Sequence, residues 1–92
     1  MVKIMSNVTI YTTPTCPYCL AAKALLRRKG AEFTEINVEG DRETAIALAK
    51  RTCRRTVPQI YIGETHVGGF DDLDRLERES GLDALLNPSS VF

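Results

Sequence analysis

The chain has 92 residues, 43% of them hydrophobic, and carries 12 basic and 12 acidic side chains for a formal net charge of zero. That length suits a single core, and balanced charge removes any long-range pull toward nucleic acid or an anionic membrane. The longest strictly apolar run, Ala45 to Ala49, is far too short to cross a bilayer and the N-terminus has no apolar stretch of signal-peptide length, so the expectation is one monomeric cytoplasmic domain over 1–92, frayed at 1–7 and 87–92.

Val8 to Tyr11 reads as a short strand. From Pro17 to about Arg28, the residues Ala21, Ala22, Leu25 and Leu26 fall on one helical stripe, and Gly30 ends that helix. Phe33, Thr34, Ile36 and Val38 form a second strand. After Gly40, Asp41 caps a second helix carrying Ala45, Ile46, Leu48 and Ala49. Gln59 to Ile62 and Thr65 to Gly68, joined through Gly63-Glu64, read as a hairpin. A third helix starts from Asp71 or Asp72 with Leu73 and Leu76 inward, and Leu82, Leu85 and Leu86 mark a last short helical turn. This order makes a small α/β sandwich whose first crossover is parallel and right-handed.

Cys16-Pro17-Tyr18-Cys19 lies where the first strand hands over to the first helix. Residues three apart on a helix sit on one face with Cβ atoms ~5 to 6 Å apart, close enough for a disulfide to open and close locally. Cys16 falls at the helix mouth, where unpaired N–H groups and the positive end of the dipole favour an anionic sulfur, so it is the expected nucleophile. Cys19 lies one turn deeper, shielded by apolar neighbours, and is the expected resolving thiol. Pro17 suits the first helical turn and stiffens it. Both thiols then crown the carboxyl end of the first strand, where open α/β sheets build their sites.

C-P-Y-C at 16–19, T-V-P at 56–58 and G-G-F-D-D at 68–72 together resemble a dithiol glutaredoxin of the thioredoxin fold, over nearly the whole chain. The resemblance implies a four-stranded mixed β-sheet flanked by three main helices plus the short C-terminal turn, with Pro58 in a cis peptide facing Cys16. It implies glutathione as co-substrate and no tightly bound cofactor. Tyr18, Thr56, Val57 and Pro58 would line the groove, with the Val57 backbone pairing with the cysteinyl unit. Gly69, Phe70 and Asp71 would receive the γ-glutamyl end, Asp71 meeting its ammonium group and helix-start N–H groups its carboxylate. The implied substrates are protein disulfides and glutathionylated proteins, with glutathione reductase acting indirectly through glutathione. Both thiols would serve protein disulfides, and Cys16 alone would serve glutathione mixed disulfides.

Two positions depart from the family pattern. Thr13 stands where many members have a Lys, and Ala45 where relatives often carry Gln or Arg, so Arg42, Lys50 or Arg55 are the expected substitutes for holding the glycyl carboxylate. Two other readings have less support: a zinc site from the C-x-x-C pair with Cys53 and His66, which lacks a second short-spaced ligand pair, and an iron-sulfur carrier, whose members usually lack C-P-Y-C. Plain thioredoxin lacks support because its C-G-P-C and preceding Trp are both absent here. Cys53 reads as an incidental thiol at a place where a helix-ending Gly would be comfortable. Lys50, Arg51, Arg54 and Arg55 read as a solvated helix end rather than a nucleic-acid patch.

Overall fold

Alternation along the first strand sets the layers. In β1 (Val8–Thr12) the residues Val8, Ile10 and Thr12 turn inward and are buried, while Thr9 and Tyr11 face the other side and are half-buried. The computed structural model describes residues 7–53 and 56–86; Arg54, Arg55 and the two ends at 1–6 and 87–92 lie outside the described residues. The remaining elements follow as α1 (Pro17–Arg28), β2 (Phe33–Asn37), α2 (Arg42–Thr52), β3 (Gln59–Ile62), β4 (Thr65–Gly68), α3 (Phe70–Arg78) and α4 (Leu82–Leu86). No helix among the described residues is long and apolar enough to cross a membrane.

The four strands form one mixed sheet in the order β2-β1-β3-β4. β1 and β2 run parallel, with Ile10 opposite Glu35, while β3 pairs antiparallel with β1, Ile60 opposite Ile10. The β3–β4 hairpin closes the sheet, with an irregularity between Ile60 and Tyr61. Glycine permits the reversal: Gly63 has φ +60°, a region other residues enter at a cost. Its N–H donates to the Asn7 carbonyl, so the residue preceding β1 is held against the hairpin.

One face of this sheet carries the core. Val8, Ile10, Ile60 and Ile62 meet Ala22, Leu25 and Leu26 of α1, Leu73 of α3, and Leu82 and Leu86 of α4 in a single buried cluster. Each Val, Ile and Leu among them contributes about 1.5–3 kcal/mol by leaving water. Lys29 joins three helices beneath this layer, with Glu77 at 3.0 Å and Asp83 at 2.8 Å. The last turn of α1 closes as expected around Gly30, which has φ +73°: its N–H reaches the Arg27 carbonyl and the Ala31 N–H reaches that of Leu26.

The opposite face is polar and is covered differently from the sequence expectation. Of Ala45, Ile46, Leu48 and Ala49, Leu48 alone is buried, and Ile46 is 43% exposed. The physical reason is that α2 rests on Tyr11 and Tyr61 rather than on an apolar layer. Arg51, expected to end in solvent, donates from Nε to the Tyr61 hydroxyl and from an Nη to the Tyr11 hydroxyl, and its guanidinium lies over both rings. Two boundaries also shift. Val38 lies beyond β2, buried, with its N–H on the Thr12 carbonyl. Helix α3 begins at Phe70, because Asp72 is its third residue and reaches back to the Gly69 N–H.

Asp41 caps α2 as expected, accepting from the Thr44 N–H and hydroxyl. At the other end Cys53 takes the left-handed conformation, φ 60° and ψ 24°. A non-glycine residue there costs roughly 1–2 kcal/mol, part of which glycine returns through its freer unfolded chain. Cys53→Gly is therefore expected to raise unfolding stability by about 1 kcal/mol, read as a higher denaturant midpoint at unchanged slope. A midpoint that stays put would refute the strain.

Candidate active site

Where β1 ends at Thr12, a tight turn carries the chain into α1, with the Cys16 N–H on the Thr13 carbonyl. Cys16 is the N-cap of α1, extended at φ −85° and ψ 114°, and Pro17 follows as the first helical residue. A cap is usually an oxygen side chain accepting from an N–H two or three residues on. Here a sulfur takes that place, the Cys19 N–H donating to the Cys16 Sγ at 3.3 Å. Cys16 is partly exposed while Cys19 is 1% exposed. The depth difference read from the sequence is therefore present in the structure.

The second wall is the segment before β3. The Val57–Pro58 peptide is cis, and the Cys16 thiol donates to the Val57 carbonyl over 3.7 Å. The third wall is the start of α3. A groove of about 230 Å³ runs between them, lined by Tyr18, Thr56, Val57, Pro58, Gly69, Phe70, Asp71 and Asp72. All seven residues expected to form the groove are brought together there. Asp72 joins them; its signal was an acidic residue in the G-G-F-D-D run, which read as a helix start. A Cβ on Gly69 would meet the Pro58 carbonyl oxygen at 3.6 Å, an ordinary contact. Packing within the chain does not demand that glycine, and the space it leaves belongs to the groove.

Residues 8–67 match the family model described as Glutaredoxin. The chain is 58% identical over 83 residues to a glutaredoxin of Pseudomonas aeruginosa, covering 90% of this chain and 99% of that protein. The chain belongs to the glutaredoxin family. Its structure resembles the solution structure of a glutaredoxin from Brucella melitensis, with TM-score 0.83, 52% identity and 96% of each chain covered. It also resembles a crystal structure of a buckwheat glutaredoxin-glutathione complex, with TM-score 0.83 and 29% identity over 86% of this chain and 74% of that one. Glutaredoxins are glutathione-dependent thiol oxidoreductases, and this chain is one by family and by fold.

Thr13 apart, the other residues singled out in the sequence lie elsewhere in this glutaredoxin. Arg42, Ala45 and Lys50 line a separate hollow along α2 together with Ile46, Ala49 and Cys53. They are absent from the lining of the groove beside Cys16, and Arg55 lies outside the described residues. Thr13 contributes its backbone, which meets both the Cys16 N–H and the Cys19 sulfur. His66 sits on β4 with Nε2 against the Gln59 amide, and Cys53 ends α2. Among the described residues no group of three or more His, Cys, Asp and Glu side chains could hold a metal ion. Sequence reasoning did not single out Leu20, 58% exposed immediately after Cys19, or the fully buried Gln59.

Burial first, with the neighbouring Cys16 sulfur adding to it, pushes the Cys19 thiol up from its ordinary 9.0 to about 11, against the lowering effects of the Thr13 backbone and Lys23. An acid whose folded value is raised stays protonated in the fold after the unfolded chain has ionised. The stability it contributes is complete below pH about 9 and is lost as pH rises through about 11. In a Cys16→Ser chain, alkylation of Cys19 by iodoacetamide is expected to titrate with a midpoint above that of the same cysteine in the unfolded chain. Coincident midpoints, followed by mass spectrometry, would rule the burial effect out.

Proposed function

We propose that Cys16 and Cys19 are the redox pair of a dithiol glutaredoxin that reduces protein disulfides and glutathione mixed disulfides, with glutathione as the electron source. The observation that carries this reading is the position of the Cys16 sulfur, at the mouth of a helix and within 3.7 Å of the Val57 carbonyl at the wall of a tripeptide-sized groove. Cys16 Sγ is the accessible sulfur, and a backbone N–H already points at it. That arrangement favours attack by Cys16 rather than by the buried Cys19.

With a glutathione mixed disulfide, the Cys16 thiolate attacks the glutathione sulfur. The Cys16–glutathione bond forms, the original S–S bond breaks, and the substrate thiolate leaves and takes a proton. A second glutathione thiolate then attacks the glutathione sulfur held on Cys16, forming glutathione disulfide and freeing Cys16. With a protein disulfide, Cys16 forms a mixed disulfide and Cys19 attacks the Cys16 sulfur, closing Cys16–Cys19 and releasing the second substrate thiol. Cys19 holds its proton near neutral pH, so that proton must leave as it attacks. The departing substrate thiolate is the base at hand. Two glutathiones then reopen the pair, and glutathione reductase restores them without touching this protein.

In the groove, Val57 offers one N–H and one C=O to the extended cysteinyl unit, as an added strand would use them. Asp71, exposed at the start of α3, receives the γ-glutamyl ammonium, and the N–H groups of that helix start receive its carboxylate. Tyr18, 61% exposed, and Phe70 flank the entrance, and Thr56, Pro58 and Gly69 complete it. The buckwheat complex supports glutathione as the ligand. Three cysteines, an odd number, fit a reducing, cytoplasmic setting.

Cys16→Ser is expected to abolish turnover of every substrate. Cys19→Ser is expected to keep reduction of a small glutathione mixed disulfide while losing reduction of protein disulfides, measured with glutathione and glutathione reductase. Equal loss in both variants toward the small substrate would overturn the assignment of roles, and recycling by thioredoxin reductase in place of glutathione would overturn the choice of electron donor.

A further inference from the structure

Gln59 is the first residue of β3, follows Pro58 directly, and is 0% exposed. Among the described residues it is, with Thr12, one of two buried polar side chains. A buried amide is costly unless its groups are paired, and both ends of this one are. Its Nε2 donates to the Thr56 carbonyl at 2.8 Å, and its Oε1 meets His66 Nε2 at 2.8 Å. The Thr56 oxygen can only accept, so the amide nitrogen must face it. The amide oxygen then faces His66, whose Nε2 carries the proton. The His66 ring stands 5.1 Å from that of Tyr61, which Arg51 holds from α2. Gln59 is thus fixed from behind by β4 and by the second helix.

The carbonyl that Gln59 grips shares a peptide unit with the Val57 N–H. That unit is planar and trans, the cis bond being the next one along, so its C=O and N–H point in opposite directions. Holding the Thr56 oxygen on the buried side turns the Val57 N–H away from the interior, toward the groove that Thr56, Val57 and Pro58 line. We infer that Gln59 is a positioning residue, setting the direction of the backbone donor that recognises the cysteinyl unit of glutathione. The inference rests on the groove assignment made above and adds to it the side chain that orients its central donor.

The experiment is a titration with S-methylglutathione, which fills the groove without thiol exchange, on the wild-type chain, Gln59→Leu and Gln59→Glu. Leucine removes the donor at similar volume. Glutamate keeps an acceptor for His66 and sets a carboxylate oxygen against the Thr56 carbonyl. The wild-type Val57 amide resonance is expected to shift on binding. In whichever variant keeps the wild-type far-ultraviolet spectrum and a cooperative melt, the Kd is expected to rise about three- to tenfold, the scale of one lost hydrogen bond. KM for a small glutathione mixed disulfide should rise with it. Alkylation of Cys16 by iodoacetamide, which does not use the groove, should stay within about twofold of wild type, a separation that general loosening of the fold does not produce.

A folded variant that binds as tightly as wild type overturns the inference and leaves the groove assignment standing. An equal fall in Cys16 alkylation also overturns it, because the defect then lies in the fold around the thiols. A wild-type Val57 amide that ignores S-methylglutathione overturns the groove assignment and this inference together. Failure of both variants to fold assigns Gln59 to stability and overturns the positioning role.

Discussion

A sulfur atom caps the first helix, and the arrangement of the site depends on that one contact. An N-cap must have extended backbone while its side chain turns back to the N–H groups of the first turn. Cys16 meets both conditions, so the side chain with the chemistry is also the one that the start of α1 fixes in place. The same geometry puts Cys19 on the inner face of that turn, buried and strongly protonated. The contrast in exposure between the two thiols therefore comes from helix geometry and depth.

The sheet supplies the other half. β1 lies between a parallel and an antiparallel neighbour, so its carboxyl end is held on both sides where the turn to Cys16 begins. β3 enters antiparallel to it, which brings the segment just before β3 to the same end of the sheet. Residues more than 40 positions apart in sequence thus meet because two neighbouring strands run in opposite directions. The start of α3 comes to the same place because the hairpin returns the chain beside β3.

Much of this was legible in the residues. Alternation in β1, the helical stripe of Ala22, Leu25 and Leu26, the cap at Asp41 and the hairpin turn at Gly63 each depend on local physics, and each element lies where its signal put it. C-P-Y-C with T-V-P and G-G-F-D-D carried the groove, since those segments meet around one hollow. What escaped were features set by long-range contact. Arg51 reads as one more cation at a helix end, and nothing local announces two tyrosine rings waiting across the sheet. Ile46 reads as core, yet α2 faces a polar layer and leaves it in water. Asp71 or Asp72 reads as the start of the third helix, but Asp72 acts from its third position, reaching back to the Gly69 N–H. Gln59 looks like an ordinary polar start to a strand until the sheet closes over it.

The uneven coverage of the sheet has a consequence for how the molecule moves. On one side, leucines from three helices interlock with β1 and β3, and the Lys29 ion pairs bind those helices together. On the other, a single helix leans on tyrosine rings and an arginine through contacts that water can enter and replace. Opening of α2 should therefore be the cheapest excursion from the native state, in the sense of a local unfolding unit. Such an excursion would leave the core packing of α1 in place, so the helix that carries the two thiols can stay rigid while the opposite layer breathes.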